Sequence, residues 1–241
     1  MIALARRQSG PGRTGKAFVE ADRNGHLTAK MVGVNTVNAM ATETRQHILN
    51  EAREVFLKEG LARFSMRTVA ERVGISATAL YRHFDDKDAL LASLLGEAFG
   101  TFGSYLGRAL AGKTPLERLR LAGLAYIDFA LEHPRDYELM FLTNCRDLGF
   151  KRIYRENDER SRGTFEFLVE RVEDCIESKV FARREPREVA LYVWSTLHGI
   201  VSLWLMGQLR ESMDERAFRA QAGLTLRLIE VGLGAGETRR K

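Results

Sequence analysis

The chain has 241 residues, 45% hydrophobic and 29% charged, enough for one large domain or two small ones around a hydrophobic core. Two cysteines, Cys145 and Cys175, exclude a disulfide framework and a paired metal knuckle, and fit a reduced, cytoplasmic setting with both thiols packed. The net charge of +5 argues weakly for a nucleic-acid partner, because +4 of it lies in residues 1–41, where Arg6, Arg7, Arg13, Lys16, Arg23 and Lys30 face only Glu20 and Asp22.

Those first 41 residues are glycine-rich, with one aromatic (Phe18) and no sustained periodicity, and are expected to form a basic tail. They lack the apolar run of a secretory signal, and Met31 and Met40 are alternative starts. The tail is either inert or an arm that adds non-specific phosphate attraction. From Thr42 the spacing of Ile48, Leu49, Ala52, Val55 and Phe56 predicts a helix capped by Thr44 and ended by Gly60. A short helix over Met66–Val73, capped by Ser65, is broken at Gly74. Ser76 then caps a third helix over Ala77–Phe84, and Asp85-Asp86 opens a fourth.

Further helices are predicted near 87–111, 115–132, 135–147, 152–180, 187–209 and 214–232, with Pro115, Pro134 and Pro186 at starts or junctions. No alternating strand pattern of useful length and no internal repeat is visible. The expected fold is all-α: an N-terminal three-helix bundle over residues 42–88, then a larger helical domain over 89–235 and a tail over 236–241, with the fourth helix as hinge.

Residues 65–84 have the layout of a helix-turn-helix. Val69, Val73, Ile75, Leu80 and Phe84 form an apolar seam, Ala70 is small where the two helices cross, and Gly74 can take the left-handed conformation of a sharp turn. Arg63, Arg67, Arg72 and Arg82 against Glu71 make the segment locally basic. Such geometry projects the third helix toward a major groove.

The run from Thr68 to Leu91, above all Leu80-Tyr81-Arg82-His83-Phe84 followed by Lys87 and Leu90-Leu91, resembles the N-terminal DNA-binding domain of the TetR family. The resemblance covers about residues 42–95. It implies that Tyr81, His83, Lys87 and Thr44 bind phosphates. Arg67, Ala77 and Thr78 would meet base edges, Arg67 at guanine and the two methyl-bearing side chains at thymine, with Arg82 in either role and Ser76 at the turn. The alternative for Tyr81 and His83 is packing, and for Arg67 a solvated charge.

Farther on, Val189–Gly207 holds 19 uncharged residues, long enough to suggest a membrane span. Ser195, Thr196, His198 and Ser202 interrupt it, so a helix buried on both sides is expected instead, and no membrane partner. Trp194 and His198 share a helix face, and Gly199 permits close approach. This Trp-x-x-x-His-Gly run, with His133-Pro134 and Tyr137…Phe141 upstream, resembles a WHG-type C-terminal domain of the same family. A ligand cavity is expected from Tyr126, Phe129, Tyr137, Phe141, Phe165, Trp194 and His198, the alternative being core packing. Leu203, Trp204, Leu205, Leu224 and Leu228 are expected at a dimer interface, and Gly96, Gly100, Gly103 and Gly107 as a small-residue track on the fourth helix.

The resulting expectation is a homodimeric regulator of transcription, a repressor released from a palindromic double-stranded DNA operator by a small apolar effector. No phosphate loop, nucleophile elbow, zinc spacing or carboxylate–histidine cluster argues for an enzyme, a metal or a cofactor. A DNA-binding activator or architectural protein without an effector is the other alternative.

Overall fold

The computed structural model describes residues 18–21, 27–30, 34–143 and 151–234, with side chains described over 42–60, 63–143 and 157–234. The helices are α1 (Val34–Arg63), α2 (Met66–Val73), α3 (Ala77–Tyr81), α4 (Lys87–Gly107), α5 (Pro115–Glu132), α6 (Pro134–Tyr137), α7 (Lys151–Glu177), α8 (Pro186–Leu205) and α9 (Glu215–Leu233). Local chemistry sets most of their starts. The side chains of Ser65, Ser76, Asp86, Thr114 and Asp214 each accept a hydrogen bond from the backbone N–H three residues on, and Pro115, Pro134 and Pro186 occupy first-turn positions.

Two cores result. One gathers Ile48, Phe56, Val69, Leu80, Phe84 and the first half of α4 (Leu90, Leu91, Leu94, Phe99). The other gathers the end of α4 (Phe102, Tyr105, Leu106) with α5, α7, α8 and α9. Helix α4 therefore contributes to both cores, and the N-terminal core runs on past residue 88 to Phe99. Leu139, from the stretch after α6, is also buried in that first core.

Several expectations need correction. Helix α1 starts at Val34, so Thr44 lies within the helix and cannot be its N-cap. Gly60 does break the helix, at φ 70° and ψ 173°, but helical structure resumes to Arg63. Ahead of the helices, Phe18–Ala21 pairs antiparallel with Leu27–Lys30, Phe18 opposite Lys30. Part of the expected tail is thus a hairpin, and the sequence carries a signal for it: Asn24-Gly25 stands between two short runs containing Phe18, Val19 and Thr28. The rest of residues 1–33, Cys145 and the expected tail over 236–241 lie outside the described residues.

The helix expected over 135–147 is instead α6 followed by a π turn, Glu138–Leu142, an irregularity that widens the backbone spiral beside the cavity described below. Residues 144–150 are not described. Of the glycine track, only Gly96 faces a close neighbour among the described residues, where an added Cβ would meet Arg160 at 3.0 Å; Gly100, Gly103 and Gly107 meet none of them within 4 Å. Cys175 is fully buried, and burial pushes its thiol up to about 11, as expected of a packed cysteine.

Candidate DNA-binding face and ligand cavity

The turn between α2 and α3 is built as its residues require. Gly74 takes φ 80° and ψ 28°, and its N–H and that of Ile75 both reach Ala70 O at 3.0 Å. Ser76 Oγ accepts from Ala79 N at 3.1 Å, starting α3 at once. Val69, Ala70, Leu80 and Phe84 are buried, while Val73 and Ile75 are partly buried at the seam's edge. With α3 anchored through Leu80, its other face is free: Ser76, Ala77, Thr78, Tyr81 and Arg82 are all exposed.

Tyr81 is the informative case, because a tyrosine left 51% exposed is not there for packing. His83 and Lys87 are half-buried beside it. Burial lowers the Lys87 pKa, and its Nζ lies 5.6 Å from the centre of the Phe64 ring, fixing the ammonium at the start of α4. Arg67 is also exposed, with Nε 2.9 Å from Glu71 Oε1 one turn on. At 86% side-chain exposure that pair is weak and can give way to a nucleic-acid contact. The structure adds a cation that periodicity alone does not reveal. Arg45 of α1 lies 4.8 Å from the centre of the Phe84 ring and donates to Ser93 Oγ at 3.1 Å, which brings it to the Tyr81–Lys87 end of the face. Thr44 is half-buried next to it, on α1 and not at a helix terminus.

The second site is a cavity of about 430 Å³ between α4, α5, α7 and α8. Tyr126, Phe141, Phe165, Trp194 and His198 line it, as expected, and Phe99, Phe102, Met140 and Leu197 join them. Phe129 does not: it is fully buried among Phe102, Tyr105 and His133. Tyr137 is also fully buried and stands behind the wall. Its hydroxyl is 2.8 Å from Tyr126 Oη and 2.7 Å from His198 Nδ1, while Tyr126 Oη is 2.9 Å from the same nitrogen. Burial holds all three groups neutral. It raises Tyr126 well above its ordinary range and Tyr137 to about 12, and lowers His198. At the other end Arg162 and Arg187 line the cavity, but each already holds a carboxylate. Arg162 lies 3.0 Å from Asp158, and Arg187 is forked on Glu166 at 2.7 and 3.1 Å.

The surface expected to pair two copies divides in two. Trp204 stacks on Phe218 of α9, centroids 4.6 Å apart, and belongs to the core. Its bulk is satisfied within the chain. Leu205 is partly buried. Leu203, Leu224 and Leu228 are exposed, and Leu191, Tyr192, Met206 and Val231 extend the same apolar surface of α8 and α9. Gly199 lies on this open side, where an added Cβ would meet nothing within 4 Å among the described residues. By length and composition α4 and α8 could each cross a membrane; α4 is mostly buried between the two cores. Among the described residues no group of three His, Cys, Asp or Glu side chains could hold a metal ion.

Comparison with known proteins bears on both sites. Residues 48–94 match the family described as bacterial regulatory proteins, tetR family, and residues 119–224 match a tetracyclin repressor-like C-terminal domain. The Trp194…His198-Gly199 run lies inside the second match. The HTH-type transcriptional repressor KstR of Mycolicibacterium smegmatis is 41% identical over 78 residues, 32% of this chain and 38% of KstR, so that likeness covers well under half of the relative. The HTH-type transcriptional regulator AcrR of Shigella flexneri is 25% identical over 171 residues, 68% of this chain and 80% of AcrR. Among solved structures, the TetR family transcriptional regulator PfmR from Thermus thermophilus superposes with a TM-score of 0.61 at 26% identity, covering 75% of this chain and 97% of PfmR.

Proposed function

Because the chain belongs to the TetR family, we propose that it is a dimeric transcriptional repressor that grips an inverted-repeat operator and lets go when a small apolar effector enters the cavity. The observation that carries the DNA half is the free face of α3, where Ala77, Thr78, Tyr81 and Arg82 stand clear of a frame held by Leu80 and the Gly74 turn. Tyr81, His83, Lys87 and Arg45 serve as phosphate contacts at one end of that face. Arg67, Ala77 and Thr78 read base edges, once Arg67 leaves Glu71. Two copies joined through the exposed leucines of α8 and α9 would present two such faces. They fit successive major grooves when about 34–36 Å apart.

Coupling between the sites follows from α6 and the π turn. Phe141 lines the cavity and Tyr137 backs it, while Asp136 and Arg135, on the same short helix, pair with Arg53 and Glu54 of α1. An effector that displaces Phe141 therefore moves the element that grips the DNA-binding bundle. It shifts the balance only by its differential affinity for the two arrangements.

Selection from a random DNA pool tests the reading. Recovery of an approximate inverted repeat, with affinity lost on the Tyr81→Phe/His83→Ala double change, supports it; a pool that yields no inverted repeat sinks it. Placing that repeat in a promoter–reporter fusion decides the sign, since a rise in transcription with the protein present makes it an activator.

A further inference from the structure

The Tyr126–Tyr137–His198 triangle constrains what the cavity can hold. Its three edges, 2.7 to 2.9 Å, cannot all be hydrogen bonds at once, since two phenols and one ring nitrogen can place a proton on at most two of them. If His198 Nδ1 accepts, one phenol donates to the other and that one donates to the imidazole, so both hydroxyl protons are used inside the triangle. If Nδ1 instead carried the proton, one phenol hydrogen would find no acceptor inside the triangle; Tyr137 is fully buried, and Ser202 Oγ, its other polar neighbour, makes no hydrogen bond among the described residues. A neutral imidazole that accepts at Nδ1 must carry its hydrogen on Nε2. His198 Nε2 has no hydrogen-bond partner among the described residues, is not sealed in the core, and belongs to a ring that lines the cavity.

The rest of the wall fixes the other properties. Phe99, Phe102, Phe141, Phe165 and Trp194 surround the space with ring faces and edges, which suits a flat apolar body. The cations at the far end, Arg162 and Arg187, are already paired with Asp158 and Glu166, so an anionic group would have to displace a carboxylate from one of these exposed pairs.

We propose that the cavity selects a neutral, flat, largely apolar molecule bearing a carbonyl-type oxygen, which accepts a hydrogen bond from His198 Nε2–H while Tyr126 and Tyr137 hold the imidazole in that tautomer. The inference rests on the cavity being an effector site.

Three probes of nearly equal size separate the possibilities by titration calorimetry on the full chain: 2-acetylnaphthalene, 2-isopropylnaphthalene and 2-naphthoate. The ketone should bind about tenfold more tightly than the hydrocarbon, the worth of one net hydrogen bond. His198→Phe should bring that ratio close to one, and His198→Gln, which keeps an N–H donor, should restore part of it. Tyr137→Phe, which breaks the relay without touching the cavity wall, should lower the ratio too. Equal binding of ketone and hydrocarbon, tightest binding of the naphthoate, or no saturable binding of any probe overturns the proposal. Measuring operator affinity with the ketone present separates the two readings. A ketone preference that depends on His198 but leaves DNA binding unchanged would sustain the ligand chemistry and remove the effector role.

Discussion

Arg53 of α1 and Asp136 of α6 meet with Nε 2.7 Å from Oδ1, an ion pair that ties the DNA-binding bundle to the short helix backing the cavity. The N–H is not aimed at that oxygen, so the attraction is coulombic more than a directed hydrogen bond. Asp136 is buried, Glu97 of α4 lies 3.2 Å from Arg53 Nη2, and His133 lies 3.7 Å from the other Asp136 oxygen. Three helices thus share one cluster of charges.

Removing one member strands another. Arg53→Ala leaves the Asp136 carboxylate buried without its main partner and should cost about 2–4 kcal/mol, because truncating half of a buried pair leaves an uncompensated charge. The double change Arg53→Met/Asp136→Leu should cost less than Arg53→Met and Asp136→Leu taken together. Urea denaturation of the four proteins gives the cycle. Strict additivity would mean the pair is incidental. Effector-induced loss of operator affinity should also shrink in the double variant, since only the Arg135–Glu54 pair would still tie α6 to α1.

The DNA-binding face gives a salt-dependence prediction. Replacing a cation that touches phosphate lowers the slope of log affinity against log salt by about one, while replacing a neutral hydrogen-bond donor lowers affinity with little change in slope. Lys87→Ala and Arg45→Ala should each do the first, and Tyr81→Phe the second. Operator titrations across a range of potassium chloride concentrations separate the two classes. A full slope in Arg45→Ala would confine that side chain to its Phe84 and Ser93 contacts.

Much of this architecture is legible in the sequence because it depends on neighbours along the chain. Ser65, Gly74 and Ser76 act within three or four residues of themselves, and Trp194 and His198 share a face by helical period alone. What escapes depends on chain crossings. Nothing near Trp204 indicates that Phe218 will cover it, nor does anything near Phe129 indicate Tyr105 and His133. Arg53 and Asp136 are ordinary surface letters until α1 and α6 meet. The π turn after Tyr137 also escapes, since an apolar run such as Leu139-Met140-Phe141-Leu142 reads as a regular helix.

Burial lowers the His198 pKa below its ordinary 6.5, which makes stability depend on pH in a known direction. Above about pH 6.5 the ring is neutral in both folded and unfolded chains and contributes nothing to the slope. As the pH falls below that value the unfolded chain takes up a proton that the folded chain resists, so this group makes the fold less stable down to its lowered native pKa. The groups facing it, Tyr126 and Tyr137, stay neutral throughout. Urea midpoints measured from about pH 7.5 to about pH 5 should fall, and His198→Phe should flatten part of that fall. An unchanged slope in the variant would assign the acid sensitivity to other groups.

The apolar surface of α8 and α9 makes the sharpest separation between folding and assembly. Leu228 is 61% exposed and Leu203 46% exposed in the single chain, so neither holds up its core. A Leu203→Glu/Leu228→Glu double change should therefore leave the unfolding free energy of the monomeric fold, from urea denaturation, within about 1 kcal/mol of its parent. Buried between two copies, however, the same carboxylates would face each other and an apolar partner surface, which opposes association strongly. Sedimentation should then show a monomer where the parent is a dimer. Operator affinity should fall toward that of a single half-site, because one recognition helix cannot bridge two grooves. Trp204→Ala is the contrast: its stacking on Phe218 lies within the chain, so it should lose about 3–5 kcal/mol of stability whatever the oligomeric state. A dimer that survives the double glutamate change would move the subunit interface away from α8 and α9.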